Sequence, residues 1–249
     1  MKKILTLLRE SRAQSRKLLA VLIDPDKVND EKLATELMHR FENCAVDIYL
    51  VGGSLLTSSH MPELIGLLKA KTTKPVIIFP GSQLHIHGKA DGILLLSLIS
   101  GRNADLLIGK HVEAAPYLKR SGIEVLPTGY ILVGDSVGTT VAYISQTTPI
   151  PYSKSEIASC TAMAGELLGL KLIYLDAGSG AKSEVNTSMI RDVKKSIEIP
   201  LIVGGGIDTS EKAAAAWSAG ADMIVIGTAI EKNPEFVEEV VKVRDQFQY

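Results

Sequence analysis

The most constraining feature of this chain is a repeated alternation of short apolar runs with longer amphipathic segments. Eight of the runs are predicted strands, at residues 18–24, 46–52, 75–81, 92–100, 123–131, 170–178, 200–206 and 222–228. Most are continuously apolar, which is typical of parallel strands covered on both faces. Eight strand–helix alternations in 249 residues fit a (β/α)8 TIM barrel better than a doubly wound sheet. We therefore predict an α/β fold, with one TIM-barrel domain over residues 1–249.

The connection between the third and fourth predicted strands is too short for a full helix. It is residues 82–91, SQLHIHGKAD, and it shows no helical period. A crossover helix needs roughly a dozen residues. We predict that the third barrel helix is reduced or replaced by a loop, which would open one side of the barrel to a long substrate. His85 and His87 are interpreted as loop residues, because no third metal ligand accompanies them.

Composition and charge argue against several classes of protein. The net charge of −1 gives no reason to expect nucleic-acid binding. The longest apolar run, residues 92–100, is much shorter than the roughly 20 residues that a membrane-spanning helix needs. Cys44 and Cys160 lie far apart and indicate reduced thiols rather than a disulfide framework. Charged residues interrupt the N-terminal apolar stretch, which predicts an amphipathic helix and not a signal peptide. We expect a cytoplasmic protein that could contact a membrane surface transiently.

Three glycine-containing segments coincide with the ends of the last three predicted strands. They are residues 174–181 (YLDAGSGA), 202–208 (IVGGGID) and 225–230 (VIGTAI). Glycine lets backbone N–H groups approach an oxyanion, and the loops after strands seven and eight of TIM barrels frequently bind phosphate. Helices starting near residues 208–210 and near Asn233 would add positive N-terminal dipoles. One such glycine would indicate only a tight turn, but three in register predict a phosphate site.

A second site is predicted where the first two strands end. Residues 22–27 (LIDPDK) place Asp24 and Asp26 there, and residues 51–54 (VGGS) place Ser54 beside them. One or two carboxylates, completed by substrate phosphates, usually hold Mg²⁺. Asp26 is also explained as a helix N-cap. Asp24 lies inside the strand end, has no such explanation, and predicts a metal–diphosphate site.

This ordered set of motifs, together with residues 127–131 (PTGYI), resembles the geranylgeranylglyceryl phosphate synthase family from about residue 18 to about residue 234. Members of that family are modified β/α barrels. They join a polyprenyl diphosphate to sn-glycerol 1-phosphate and form the first ether bond of archaeal-type lipids. The resemblance implies a Mg²⁺-dependent prenyltransferase that uses geranylgeranyl diphosphate and assembles as a homo-oligomer, a dimer or a hexamer.

The resemblance also implies roles for individual residues. Asp24 and Ser54 would hold Mg²⁺. Substrate would be bound by Tyr174, Leu175, Asp176, Ala177, Gly178, Ser179, Gly180, Gly205, Gly206, Gly227 and Thr228. Asp176 would be the catalytic residue that orients or deprotonates the glycerol hydroxyl. Many members carry glutamate there; since aspartate is a methylene shorter, either the backbone sits closer or the carboxylate reaches through water.

Several alternatives stay open from the sequence. The prenyl donor could be a longer heptaprenyl diphosphate, although the motif AGSG at residues 177–180 looks more like that of the geranylgeranyl members. A metal-free isomerase or lyase acting on a sugar or indole phosphate would need a lysine or glutamate acid–base pair at strand ends. A barrel could also bind a phosphorylated ligand without catalysis. Tyr130 is expected either to line an apolar groove for the prenyl tail or to be an ordinary core tyrosine.

Overall fold

Eight parallel strands close into a barrel in which each strand pairs with its neighbours in the sequence. The computed structural model describes residues 3–28, 35–37, 39, 41, 44–58, 60–82, 85–134 and 138–247. The strands are β1 Leu18–Ile23, β2 Ile48–Gly52, β3 Val76–Phe79, β4 Gly92–Leu98, β5 Glu124–Leu132, β6 Leu172–Asp176, β7 Leu201–Gly204 and β8 Met223–Ile226. Pairing of β1 with β8 closes the ring. The predicted TIM barrel is confirmed; only β5 extends beyond its predicted run, by one residue.

Helices surround the strands, on the outside of the barrel and at its N-terminal end. They are α1 Lys3–Ala13, α2 Met61–Lys71, α3 Lys110–Ser121, α4 Thr140–Ser145, α5 Ser155–Leu167, α6 Thr187–Ser196, α7 Ser210–Ala219, α8 Thr228–Lys232 and α9 Phe236–Asp245. A π-helical turn, Asp105–Gly109, leads directly into α3. Most of the helix-like segment predicted at residues 29–41 lies outside the described residues. None of the helices formed by described residues is long and apolar enough to span a membrane.

The third connection of the barrel lacks an α-helix among its described residues, 80–82 and 85–91. Its first part packs against the loop that follows β2. A Cβ atom added at Gly81 would lie 2.4 Å from the carbonyl oxygen of Gly53, so the two loops are in backbone contact. The predicted reduction or replacement of the third helix is confirmed for the described residues of this connection.

Burial on both faces explains why the strands read as continuous apolar runs. In β1, Leu18 and Ala20 belong to a buried cluster that also contains residues of α1, whereas Leu19 and Val21 pack with the outer helices. All four side chains have no exposed surface. Because successive side chains of a strand point to opposite faces, both the barrel interior and the helix-facing layer demand apolar residues.

Helix α1 closes the N-terminal end of the barrel. The backbone N–H groups of Ile4 and Leu5 each donate a 2.9 Å hydrogen bond to the carboxylate of Glu124, at the start of β5. These first-turn N–H groups have no partner within the helix, and the negative charge also complements the helix dipole. The amphipathic N-terminal helix predicted from the sequence is confirmed.

Three aspartates tie neighbouring strands together at this same end. Each immediately precedes an even-numbered strand, and its carboxylate accepts a backbone N–H of the preceding odd-numbered strand. The pairs are Asp47 with Leu19 at 2.9 Å, Asp91 with Val76 at 2.8 Å and Asp222 with Leu201 at 2.8 Å. Asp222 is buried and also contacts Lys194 at 2.5 Å and Arg12 at 3.0 Å. These hydrogen bonds and ion pairs therefore stabilise the barrel at the N-terminal ends of its strands, opposite their C-terminal ends.

We expect Asp222→Asn to lower the free energy of unfolding by about 3 kcal/mol, because it leaves two cations without their buried counter-charge. Chemical denaturation followed by circular dichroism measures this change. Glu10→Gln, on the exposed face of α1, is the control and should change stability by about 0.5 kcal/mol or less. Equal stability of the Asp222→Asn variant and the wild type would contradict the expected role of this carboxylate.

Candidate active site

A polar cavity of about 640 Å³ opens at the C-terminal ends of the strands. Most of the residues predicted for substrate and metal line it: Asp24, Ser54, Tyr174, Asp176, Gly178, Ser179, Gly180, Gly205, Gly206, Gly227 and Thr228. Leu175 and Ala177 are placed differently, since their side chains are buried in the layer between strands and helices. The Ala177 N–H is also occupied, because it donates to the carbonyl oxygen of Gly204 at 3.1 Å.

The β6 and β7 loops, residues 177–186 and 205–209, are in direct contact, and glycine makes this contact possible. Gly205 and Gly206 both have a left-handed backbone, with φ of +79° and +71°. A Cβ atom at Gly205 would lie 2.7 Å from Oδ1 of Asp176, and one at Gly206 would lie 2.6 Å from the carbonyl oxygen of Ser183. The loops can therefore approach this closely only because neither residue carries a side chain.

Backbone donors converge on the part of the cavity between these loops and the end of β8. The N–H groups of Gly205, Gly206, Gly227 and Thr228 donate no hydrogen bond to another described residue. The hydroxyl oxygens of Ser179 and Thr228 lie 3.5 Å apart, which brings the β6 and β8 loops together. Unpaired N–H groups on adjacent loops form the kind of concave donor set that binds phosphate.

Two helix starts lie beside these donors. Helix α7 begins at Ser210, as expected, with Thr209 as its N-cap. Helix α9 begins at Phe236, close to the expected start near Asn233, but a helix that was not expected, α8, precedes it and begins at Thr228, directly after Gly227. This helix has only five residues, Thr228–Lys232, and such a short segment gives little periodic signal in a sequence.

The Asp176 carboxylate lies at the inner end of the polar cavity and accepts two hydrogen bonds. The hydroxyl of Tyr130 donates a short bond to Oδ2, and the Gly178 N–H donates to Oδ1 at 2.8 Å. Burial raises the pKa of Asp176, and the two hydrogen bonds partly oppose this rise. Burial also raises the pKa of Tyr130 well above the ordinary range, so Tyr130 remains a hydrogen-bond donor. The sequence contained no signal for this pair, whose members are 46 positions apart.

An apolar groove of about 300 Å³ adjoins the polar cavity on the side of the missing third helix. Its apolar lining comes from β4, the third connection and the helical segment that leads through α3: Ile86, Ile93, Leu95, Leu96, Leu106, Ala114 and Leu118 are examples. Ser54 and Phe79 line both the groove and the polar cavity, so the two spaces are continuous. Tyr130 lines the groove and is also buried in the core cluster inside the barrel, so it meets both of the expectations stated for it.

From the sequence we did not predict that residues of the Asp105–Ser121 segment line a groove. Leu106, Lys110, Ala114 and Leu118 are spaced four residues apart and share one helical face. That spacing was a readable signal of an amphipathic helix, but it could not show that the face looks onto a cavity. On the same helix His111 Nε2 lies 3.0 Å from the hydroxyl of Ser97 on β4.

The proposed cation ligand Asp24 presents one carboxylate oxygen toward the β2 loop. Its Oδ1 accepts the N–H of Asp26 at 3.0 Å, and its Oδ2 lies 3.9 Å from where a Cβ atom of Gly53 would stand. Burial raises the pKa of Asp24. The described residues contain no group of three or more His, Cys, Asp or Glu side chains that could enclose a metal. Asp24 and Ser54 both line the polar cavity, and their two oxygen donors would hold Mg²⁺ only together with ligands from a bound phosphate or water.

Asp26 has a structural role in the loop that follows β2. Its carboxylate accepts hydrogen bonds from the N–H groups of Thr57 and Ser58, at 2.6 and 2.9 Å, and from both of their hydroxyls. These bonds lower the pKa of Asp26. The helix that Asp26 was expected to cap, starting near residue 29, lies outside the described residues. The observed contacts leave Asp24 as the carboxylate of this strand end that faces the cavity.

Comparison with known proteins places these features in a family. Residues 11–244 match the model of the PcrB family. The protein of Spirosoma linguale named geranylgeranylglyceryl phosphate synthase is 52% identical over 243 residues, which cover 98% of this chain and 97% of that one. The protein of the same name from Thermococcus kodakarensis is 44% identical over 220 residues, 88% of this chain and 86% of that one.

A solved structure supports the same relationship. It is (S)-3-O-geranylgeranylglyceryl phosphate synthase from Thermoplasma acidophilum in complex with its substrate sn-glycerol-1-phosphate. The match has a TM-score of 0.92 at 35% sequence identity and covers 99% of this chain and 100% of that chain.

We expect Gly205→Ala to weaken the binding of inorganic phosphate by tenfold or more, because the new methyl group would collide with Asp176 and the Gly178 backbone. Gly122→Ala is the matched control: Gly122 also has a positive φ, +73°, but nothing lies within 4 Å of an added Cβ. Both variants should lose about 1–2 kcal/mol of stability from backbone strain alone. Isothermal titration calorimetry measures the affinity. Equal phosphate affinity in the two variants would contradict the assignment of Gly205 to the site.

Proposed function

The chain belongs to the PcrB family and is a relative of the geranylgeranylglyceryl phosphate synthases, and from that premise we propose that it transfers a geranylgeranyl group from its diphosphate to sn-glycerol 1-phosphate. The products are 3-O-geranylgeranyl-sn-glyceryl 1-phosphate and diphosphate. The observation that carries this proposal is the continuity of a phosphate-type polar cavity with an apolar groove through Ser54 and Phe79. The joining of a polar phosphate ester to an isoprenoid chain needs both spaces at once.

In this function the three glycine loops hold the glycerol phosphate. The unpaired N–H groups of Gly205, Gly206, Gly227 and Thr228 surround the phosphate, and the N-terminus of α7 adds positive potential. Binding through the phosphate leaves the glycerol carbons and hydroxyls directed toward the interior of the cavity. Asp176 lies there, next to the Gly205 backbone.

The prenyl chain occupies the apolar groove, with its diphosphate at the ends of β1 and β2. We propose that Asp24 and Ser54 hold Mg²⁺ at this end. The ion, when bound, neutralises the negative charge of the diphosphate and so makes it a better leaving group. Asp26 keeps the β2 loop in place through its bonds to Thr57 and Ser58. Burial of the tail beside Phe79 and Tyr130 places the allylic carbon between the two polar sites.

Asp176 is the base in this mechanism. A carboxylate whose pKa is raised by burial accepts a proton more readily than an ordinary aspartate near neutral pH. The bonds from Tyr130 and Gly178 hold the carboxylate in place and leave lone pairs for the glycerol hydroxyl. As the hydroxyl oxygen bonds to the allylic carbon, its proton passes to Asp176. The bond between that carbon and the diphosphate breaks, and the diphosphate leaves with the electron pair.

The observed lining of the polar cavity does not favour a metal-free isomerase or lyase. Among the described lining residues, the glutamates and the lysine lie on helices α7, α8 and α9 rather than at strand ends: Glu211, Glu231, Lys232 and Glu239. The acid–base pair that such chemistry requires is therefore not formed at the strand ends by the described residues. A heptaprenyl donor remains the second candidate, because the groove opens on the side where the barrel has no third helix.

Self-association, a cytoplasmic location and transient membrane contact complete the proposal. Exposed apolar side chains along and just after α5, Ile157, Met163, Leu167 and Leu168, support a self-association surface. Ile108 and Val112, on the helical segment that lines the groove, are 60% and 66% exposed and support contact with an apolar phase.

The decisive experiment incubates the protein with labelled sn-glycerol 1-phosphate and prenyl diphosphates of several lengths, with and without Mg²⁺. We expect an ether product, greatest with geranylgeranyl diphosphate and dependent on the cation. Asp24→Ala should reduce turnover by a factor of 100 or more while its melting temperature stays near that of wild type. Asp192→Asn, a surface carboxylate on α6, should retain full turnover. Failure to form ether product with any donor would refute the transferase function.

The raised pKa of Asp176 and its hydrogen bond from Tyr130 lead to a prediction about the pH dependence of kcat. A base works only when unprotonated, so turnover should be lost as the pH falls through the raised pKa of Asp176. Tyr130→Phe removes a hydrogen bond that lowers this pKa. The acid limb of the kcat profile should therefore move to higher pH in this variant. Tyr174→Phe is the matched control, since the Tyr174 ring packs 5.5 Å from the Tyr130 ring but its hydroxyl is not among the hydrogen-bond donors to Asp176, which are Tyr130 and Gly178. An unmoved acid limb in Tyr130→Phe would argue against Asp176 as the base.

A further inference from the structure

Lys212 lies behind the β6 and β7 loops and contacts both of them. Its ammonium group lies 3.3 Å from the carbonyl oxygen of Gly206 and 2.7 Å from Oδ1 of Asp208, both in the β7 loop. It also lies 3.3 Å from a carboxylate oxygen of Glu184, in the β6 loop. The Lys212 side chain is 26% exposed, and it does not line the polar cavity. The Lys212 ammonium group therefore contacts the β6 and β7 loops from behind and does not enter the cavity where a ligand would bind.

The backbone position of Lys212 is fixed by the start of α7. Its N–H donates a 3.3 Å hydrogen bond to the hydroxyl of Thr209, the N-cap of the helix. The side chain thus extends from a defined point back toward the preceding loop. Hydrogen bonding to Asp208, followed by the effect of Glu184, raises the pKa of Lys212 and keeps it charged.

The bond to Gly206 controls the orientation of one peptide group. In a trans peptide the C=O and the next N–H point in opposite directions. With the Gly206 carbonyl turned toward Lys212, the N–H of Ile207 is turned the other way. Gly206 and Ile207 both line the polar cavity, and the Ile207 N–H donates no hydrogen bond to another described residue. Lys212 therefore holds this N–H as a donor available to a bound phosphate.

The ammonium also neutralises carboxylates that would repel an anion. Asp208 lines the cavity itself, and the side chain of Glu184 is 38% exposed on the adjoining loop. Without a cation between them, these two charges would oppose the entry of a phosphate dianion. The same contact keeps the two loops packed where the Gly206 backbone touches Ser183 and Glu184.

We propose that Lys212 is a positioning residue for the glycerol phosphate site: it ties the β6 and β7 loops together, orients the Gly206–Ile207 peptide and neutralises Asp208 and Glu184. This inference rests on the proposed function, because it assigns the phosphate of that substrate to these loops. Lys212 does not touch the prenyl groove, so it should affect one substrate and not the other.

The test compares Lys212→Met with Lys212→Arg, which keeps the charge and the donors. We expect Lys212→Met to bind sn-glycerol 1-phosphate and inorganic phosphate at least tenfold more weakly by isothermal titration calorimetry. The KM for glycerol phosphate should rise by a similar factor, while kcat at saturation and the KM for the prenyl diphosphate stay within about twofold of wild type. Lys212→Arg should recover affinity to within about threefold. Lys195→Met, on the exposed face of α6, should behave as wild type.

Binding and turnover separate this inference from the proposed function. If wild type binds phosphate more tightly than Lys212→Met but makes no ether product, the transferase function fails and the role of Lys212 stands. Unchanged phosphate affinity in Lys212→Met would overturn the inference, as would an equal loss for both substrates accompanied by a lower melting temperature. Should Lys212→Met fail to fold, Lys212→Gln is measured against the same thresholds. Absence of phosphate binding in wild type would overturn both.

Discussion

Closure of eight parallel strands into a ring is the constraint on which every functional feature of this protein depends. Because all the strands run in the same direction, all their C-terminal ends meet at one face, and pairing of β1 with β8 brings the first loops beside the last. Asp24 and the Gly227–Thr228 turn are about 200 positions apart in sequence, yet both line one cavity. The aspartate bonds at the opposite face stabilise this arrangement without occupying the site.

The short third connection has a consequence beyond the loss of one helix. In a complete barrel a helix would cover β3 and β4 and fill the space beside α3. Here that space is an apolar groove, and it reaches the polar cavity at Ser54 and Phe79. Tyr130 stands at this junction, lining the groove while its hydroxyl holds Asp176. A single hydrogen bond thus couples the apolar and polar parts of the site.

The strands were predictable because burial on both faces leaves a continuous apolar run that turn-forming residues interrupt. The strand-end residues Asp24, Asp176, Gly205 and Gly206 were predictable for a related reason, since a parallel barrel gathers its functional groups at strand ends. Other features left no local trace. Helix α8 was too short to show a period, and Lys212 reads in sequence as an ordinary surface residue of an alanine-rich helix.

The sequence by itself determined the fold class, the missing third helix and the strand-end positions that line the polar cavity, because these follow from local hydrophobic patterning and from chain length between strands. Only the tertiary structure decided which groups touch. The Tyr130–Asp176 hydrogen bond joins two neighbouring strands. The bonds of Asp26 with Thr57 and Ser58, and the contacts of Lys212 with two loops, join different connections of the barrel. Such contacts depend on the distances and directions that barrel closure imposes, and those are not encoded in any one segment.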